Sequence, residues 1–320
     1  MADFHQGGHV ATLHNLRVNQ PDALVRELEA FTATRKITLI LPSLFSELEG
    51  EALPDIIDEL NKVDFIHRIV IGLDRATEEQ YRYALKFFSK LKADHVVLWN
   101  DGPRLSAVDE RLQGLKLSPS EPGKGRNVWF CMGYTIAQAD SAVVAVHDCD
   151  VLTYSADMLA RLVYPVTNPR FPYQMSKGFY PRVADGKLNG RVSRLLVAPI
   201  LSAMAKVLGP REYLDFISDF RYPLAGEFAM RTSILPDMRI PSDWGLEIGL
   251  LSEAWRDLSP RSVCQVEVSD RYDHKHQDLS EEDASAGLSR MSVDICKALY
   301  RKLAADGTVF SEEIFRSIKA

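Results

Sequence analysis

From Lys36 onward the apolar residues follow two alternating rhythms. Ile37-Thr38-Leu39-Ile40-Leu41 is a short β-branched run that stops at Pro42, the pattern of a buried strand. After it, Ile56, Ile57, Leu60 and Val63 recur at helical spacing between Ala52 and Val63, which gives that segment one apolar face. The pair then repeats. Arg68–Leu73 predicts a strand, and Glu78–Leu91 a helix with Tyr81, Leu85, Phe88 and Leu91 in register. Val96–Trp99 predicts a third strand, Arg126–Ala139 a third helix and Ala142–Val146 a fourth strand.

Strands separated by helices of this length imply a parallel sheet built from right-handed crossovers. Ligands of such sheets sit beyond the carboxyl ends of the strands. The chemistry is therefore expected just after Leu41, Leu73, Trp99 and Val146. Past Asp150 the alternation lapses. Strands are expected over 173–180 and 263–268, and helices over 193–208, 244–255 and 280–303, the last long or broken. No repeat, low-complexity tract or Pro/Gly linker divides the chain. The expected organisation is an N-terminal extension over 1–35, a strand–helix half over 36–150, and a second half with C-terminal helices over 151–320 that covers the pocket.

Composition narrows the class. With 46% hydrophobic and 26% charged residues, the 320-residue chain has the balance of a packed globular protein. Its net charge of -6 argues against a sequence-independent nucleic-acid binder but leaves room for a local basic pocket. Four scattered cysteines without CxxC spacing indicate neither a disulfide framework nor a zinc site. The start MADFHQGGHVATLHNL lacks the basic and apolar regions of a signal peptide, and no window is apolar for long enough to cross a bilayer. A soluble cytoplasmic protein is expected.

Three polar segments carry candidate chemistry. His147-Asp148-Cys149-Asp150 directly follows the strand 142–146, so two carboxylates at i and i+2 leave the sheet together. Mg²⁺ or Mn²⁺ favours such hard oxygen donors, often sharing its shell with phosphate; alone, the triplet is equally a solvated turn. Pro122-Gly123-Lys124-Gly125-Arg126-Asn127 precedes a helix, whose N-terminus and Lys124 would both favour an anion. It lacks Walker A spacing, and a plain basic loop is the simpler reading of it in isolation. Asp273-His274-Lys275-His276 could complete a metal shell begun by Asp150, although histidines in a polar loop are usually just exposed. Weaker signals are Pro223-Leu224-Ala225-Gly226-Glu227, Glu247 near the start of an apolar helix, and Asn189-Gly190-Arg191-Val192-Ser193 before another helix. The last group suits a phosphate or carboxylate. The simpler readings are helix-end charge for the two glutamates and an ordinary surface arginine for Arg191.

Taken in order, Leu41-Pro42-Ser43-Leu44, Pro122–Gly125, Asp148-Cys149-Asp150, Pro223–Glu227 and Gly245-Leu246-Glu247-Ile248 resemble the glucosyl-3-phosphoglycerate synthase family. The related mannosyl-3-phosphoglycerate synthases are a looser match. The likeness spans about residues 37–295 and includes Gly190-Arg191-Val192-Ser193 and Leu288-Ser289-Arg290-Met291-Ser292. It implies a GT-A fold (α/β, Rossmann-like, a mostly parallel sheet flanked by helices) with a C-terminal acceptor-side extension, so that 36–150 would be the nucleotide-sugar-binding half and 151–320 the acceptor-binding half with the C-terminal helices. It further implies a retaining transfer of glucose from UDP- or GDP-glucose to 3-phosphoglycerate, with Mg²⁺, Mn²⁺ or Co²⁺. By the same resemblance Pro42, Leu44, Asp74, Lys124 and either Glu47 or Glu49, with Glu47 preferred, serve the nucleotide sugar. Asp150 and His274 bind metal, with His276 the competitor for the second position. Asp148 serves the sugar and ribose side, and Glu227 and Glu247 lie by the donor sugar; these three form the catalytic set. Gly190, Arg191 and Ser193 hold the acceptor, Ser193 standing where a threonine is more usual. Two departures stand out: Ser46-Glu47-Leu48-Glu49-Gly50 lacks an Asn-Glu-Glu texture, and Gly72-Leu73-Asp74 differs from the family's acidic loop.

Neither nucleic acid nor membrane is an expected partner, and a homodimer is the expected assembly. The rivals within the class are a mannosyl donor or a free glycerate acceptor. A nucleotidyltransferase would place a glycine-rich turn after the first strand, where this chain has Pro42-Ser43-Leu44-Phe45. A non-catalytic nucleotide-sugar binder would not need the intact Asp148/Asp150 pair and His274.

Overall fold

The computed structural model describes residues 8–16, 20–119, 121–184, 187–273 and 287–320. Its centre is an eight-stranded sheet. In chain order the strands are β1 (Ala11–Leu13), β2 (Ile37–Leu44), β3 (Ile66–Asp74), β4 (Asp94–Trp99), β5 (Val143–Val146) and β6 (Met175–Phe179). A separate two-stranded ribbon, β7 (Val183–Ala184) and β8 (Lys187–Leu188), precedes β9 (Phe228–Arg231) and β10 (Val263–Glu267). The helices are α1 (Pro21–Thr32), α2 (Ala52–Leu60), α3 (Glu78–Phe88), α4 (Pro103–Gly114), α5 (Lys124–Gln138) and α6 (Ala156–Thr167). They continue with α7 (Ala198–Leu208), α8 (Glu212–Ser218), α9 (Leu246–Asp257), α10 (Gly287–Ala305) and α11 (Glu312–Lys319).

The sheet order is β1-β10-β6-β9-β5-β2-β3-β4, and every pairing is parallel except the two made by β9. Helices cover both faces, which is why β2 and β5 read as unbroken apolar runs rather than alternating ones. Side-chain alternation sends Leu39, Leu41, Ile69 and Ile71 into a core shared with α1, α2, α3 and α6. Ile40, Val70, Val144 and Val146 pack on the other face against α5 and the C-terminal helices.

Four features add to the sequence reading. The segment read as an N-terminal extension is part of the fold: β1 pairs in parallel with β10, and α1 packs on α6. Strand β9, only four residues long, enters antiparallel between β6 and β5 and carries the sheet continuously across the 150/151 boundary. Helix α4, PRLSAVDERLQG, was not foreseen; of its residues only Asp109 is buried, and Val108 is exposed. The expected helix over 193–208 opens with a π-helical turn at Ser193–Val197 before α7.

Candidate active site at the carboxyl edge

Topology gathers the polar side chains. The carboxyl ends of the parallel strands β2, β3, β5, β6 and β10 share one edge of the sheet. Because β9 runs the other way, its first residues begin at that same edge, which brings in Glu227 just ahead of Phe228. Helices α5 and α9 lead back into the sheet and start with Lys124 and with Leu246-Glu247.

Lys124 organises one side of the site. Its Nζ lies 2.6 Å from Asp148 Oδ1 and donates to Glu247 Oε1 at 3.0 Å. Burial alone would pull the Lys124 pKa down, but the carboxylates of Asp148 and Glu247 outweigh it and raise it, so the ammonium stays charged. Gly226 makes this arrangement possible: a Cβ there would sit 2.2 Å from Asp148 Oδ2 and 2.8 Å from Lys124 Nζ. The glycines flanking Lys124 let the backbone of Pro241 and Ser242 pack against the start of α5. A Cβ on Gly125 would meet the Pro241 carbonyl oxygen at 1.9 Å, and one on Gly123 the Ser242 carbonyl oxygen at 2.7 Å. The Arg126 amide donates to that same Ser242 carbonyl.

Glu227 is fully buried and accepts from Tyr272 Oη at 2.5 Å and from Tyr180 Oη at 2.8 Å. The two tyrosine rings stack with centroids 3.5 Å apart and planes 3° from parallel. Burial and then Asp148 raise the Glu227 pKa, while both hydroxyls lower it. Beneath the Pro223–Gly226 turn, the buried Lys177 ammonium donates to the Ala225 carbonyl. Burial brings Lys177 down to about 8, against the raising influence of Glu247 and Glu227.

Asp150 sits among other carboxylates. Burial, then Asp148, then Glu47 push its pKa up to about 7. A pocket crowded with carboxylates in this way fits a hard divalent cation, whose charge would restore their ionisation. Among the described residues no group of three His, Cys, Asp or Glu is placed to hold a metal by itself. His274 and His276, the candidates for a further ligand, lie outside the described residues.

The nucleotide-side candidates line the β2 and β3 ends. Pro42, Leu44 and Glu47 are half-buried, whereas Glu49 is exposed, which favours Glu47 of the two glutamates. Asp74 is buried and accepts from Asn100 Nδ2 at 3.2 Å; burial raises its pKa. Helix α5 is tied to the same strand by Asn127 Nδ2 donating to the Gly72 carbonyl.

Beside this cluster is a cavity of about 470 Å³, with Tyr180, Arg182, Gly190, Ser193, Arg221 and Tyr222 in its wall. Its far end is apolar, with Val197, Leu201, Leu214 and Phe220. Gly190 has φ +79°, a left-handed conformation that favours glycine, and leads into the helical segment carrying Ser193. Arg191 is exposed and is not among the cavity's lining residues, although its neighbours Gly190 and Ser193 are.

The sequence reading thus named Asp148, Lys124, Glu227, Glu247 and Asp150, which the structure brings together, and Gly190 and Ser193, which share the cavity wall. It missed Tyr180, Tyr272, Lys177, Arg182 and Asn100. Tyr180 follows the last residue of β6, so the strand-end rule that flagged Val146 would have found it. Asn100 likewise follows Trp99, the last residue of β4, an end the same rule had flagged; Tyr272, Lys177 and Arg182 had no local signal, because their partners lie tens of residues away.

No family model matches the chain. It is 44% identical over 318 residues to the glucosyl-3-phosphoglycerate synthase of Persephonella marina, covering 99% of this chain and 78% of that one. Identity to the same enzyme of Methanococcoides burtonii is 38% over 303 residues, or 93% and 73% of the two chains. In structure it is similar to the glucosyl-3-phosphoglycerate synthase of Mycobacterium tuberculosis solved with Mn²⁺, UDP-glucose and phosphoglyceric acid. That TM-score is 0.67 at 23% identity, over 93% of this chain and 89% of the other. A complex of the mycobacterial enzyme with Mg²⁺ and UDP gives a TM-score of 0.64 at 25% identity, over 92% and 86%. Through the two relatives that it matches over most of their length, the chain belongs to the glucosyl-3-phosphoglycerate synthase family of glycosyltransferases.

Proposed function

We propose that this chain transfers the glucosyl group of UDP-glucose to 3-phosphoglycerate with retention of configuration, giving glucosyl-3-phosphoglycerate. The observation that carries this reading is Tyr180, which donates to the buried Glu227 on one side and lines the arginine-bearing cavity on the other. An acidic donor site and a basic acceptor site thereby share one wall. In the reaction the bond from the anomeric carbon to the diphosphate breaks, and one forms to the acceptor's free hydroxyl.

Asp150, with a ligand from the 274–276 stretch, would hold Mg²⁺ or Mn²⁺, which when bound neutralises charge on the departing diphosphate. Asp148 and Glu247, each fixed by Lys124, are set to accept hydrogen bonds from sugar hydroxyls. Glu227 supplies negative charge to an oxocarbenium-like sugar, and its two tyrosine donors favour the ionised form. Attack from the face that the diphosphate leaves retains configuration, with the acceptor's proton passing to the leaving phosphate. Gly190, Ser193 and the exposed Arg191 take the acceptor phosphate, Arg191 closing over it once it is bound.

The test is a product assay. The protein is incubated with UDP-glucose, GDP-glucose and GDP-mannose, each with 3-phosphoglycerate or glycerate and with or without Mg²⁺, and product mass and sugar identity are read. Glucosyl-3-phosphoglycerate, formed only with the cation, is the expected product. A mannosyl product, or a preference for glycerate, would overturn the reading.

A further inference from the structure

The acceptor cavity contains more anion-binding capacity than the Gly190–Ser193 segment provides. Arg182 lies across from that segment. Its guanidinium Nη1 donates to Tyr222 Oη at 3.1 Å, and its backbone carbonyl accepts from the Asn189 amide at 2.7 Å, closing the loop between them. A Cβ on Gly190 would lie 3.5 Å from Tyr222 Cε2 and 3.8 Å from Arg182 Cδ, so the two walls face each other at close range. Two polar atoms in these walls, Arg182 Nε and Ser193 Oγ, are buried with no hydrogen-bond partner among the described residues. A buried donor left unsatisfied costs about 1–3 kcal/mol, more for a charged group. A pair of them on opposite walls of one cavity is what a bound ligand would satisfy.

We propose that Arg182, held by Tyr222, is a second anion grip, which takes the acceptor's carboxylate while Gly190 and Ser193 take its phosphate. The cavity thereby selects acceptors that carry two acid groups. This rests on the acceptor reading given above and adds the means of its specificity. In 3-phosphoglycerate the two acid groups stand at opposite ends of three carbons, with the reacting hydroxyl on the middle one. Gripping both ends fixes that hydroxyl, as a single grip on the phosphate cannot. The Tyr222 ring also lies 5.4 Å from that of Tyr180, so the second grip abuts the wall shared with Glu227. A guanidinium suits this role because its planar fork can bind a carboxylate while another of its N–H groups stays on Tyr222.

Glycerol 3-phosphate keeps the phosphate and the middle hydroxyl but lacks the carboxylate, which makes it the diagnostic acceptor. With UDP-glucose as donor, kcat/KM for 3-phosphoglycerate and for glycerol 3-phosphate is compared in wild type, Arg182→Gln, Arg182→Lys and Tyr222→Phe. The melting temperature and KM for UDP-glucose are measured alongside. Wild type is expected to prefer 3-phosphoglycerate, and Arg182→Gln to shrink that preference about 10- to 100-fold, the span of a lost charge-assisted hydrogen bond. Arg182→Lys should recover part of it, and Tyr222→Phe should fall between the two glutamine and wild-type values, chiefly through KM for 3-phosphoglycerate. An unchanged ratio, or equal losses for both acceptors, would overturn the proposal. If Arg182→Gln fails to fold, Tyr222→Phe decides by the same criterion. A wild type that uses 3-phosphoglycerate while Arg182→Gln keeps its selectivity sinks this inference alone; a wild type that rejects 3-phosphoglycerate sinks the acceptor reading with it.

Discussion

The two halves of the site are charged in opposite senses and are finished to different degrees. On the sheet edge, Asp148 and Glu247 hold the Lys124 ammonium, Asp150, Glu227 and Glu47 lie among them with the Lys177 ammonium beneath, and several of their contacts are already made within the chain. In the cavity next door, Arg182, Arg194 and Arg221 face a single acidic liner, Asp215, and two buried polar atoms lack partners among the described residues. Under the proposed function the acidic half would take a cation and sugar hydroxyls, and the basic half an anion that would complete it. Burial gives both halves their strength, since charges interact more strongly in a low-dielectric site than at a wet surface.

The largest expected break in this contrast comes from Asp150. Asp150→Ala should reduce transfer by at least about 100-fold, because one hard oxygen donor to the cation is lost. Stability should lose its dependence on the cation: the variant should no longer gain the melting temperature that Mg²⁺ gives wild type. Melting curves with and without the cation, beside product assays, check both parts. A variant that still gains stability from Mg²⁺ would take Asp150 out of the metal site.

A smaller effect is expected on the basic side. Arg191→Lys should raise KM for 3-phosphoglycerate about tenfold or more and leave UDP-glucose affinity nearly unchanged, since lysine cannot reproduce a bidentate contact with phosphate. Isothermal titration of each substrate separates the two. Arg191 is exposed and its side chain is absent from the cavity wall, so this also tests whether it closes over the acceptor. Unaltered phosphoglycerate kinetics would leave the phosphate to Gly190 and Ser193 alone.

The same contrast marks what could be read from sequence. The strands β2, β3 and β5 announce themselves through their apolar runs, buried on both faces, and the end of β5 locates Asp148 by topology alone, whereas Glu47 and Asp74 came through the resemblance. Strand β9 was illegible, since four residues of it give no periodicity and its antiparallel sense breaks the repeating pattern. Glu227 was nevertheless found, through resemblance of its turn rather than through its place in the sheet. Lys177 reads as one polar residue in the strand β6, and its burial follows only from the Ala225 carbonyl that comes to meet it. Tyr272 is equally silent, because the residue it serves is 45 positions away. Arg182 lies in a loop whose approach to Gly190 and Tyr222 is set by tertiary packing.

The mildest expected change sharpens the comparison at the wall common to both halves. Tyr272→Phe keeps the stacked ring on Tyr180 and removes only the hydroxyl that donates to Glu227 Oε1. That donor favours the charged carboxylate, so its loss should raise further a pKa that burial and Asp148 already raise. A group whose folded pKa lies above its unfolded value contributes stability in its protonated form, and that stability is lost as pH rises through the folded value. The variant's deficit against wild type should thus be small in acid, where Glu227 is protonated in both. It should grow toward neutral and alkaline pH, reaching about 1–3 kcal/mol. Turnover should fall only several-fold, because Tyr180 still holds the other carboxylate oxygen. Denaturant melts at a series of pH values measure the deficit. One that is flat with pH would mean that Tyr272 acts through packing alone, leaving Tyr180 as the donor that keeps Glu227 charged beside the acceptor cavity.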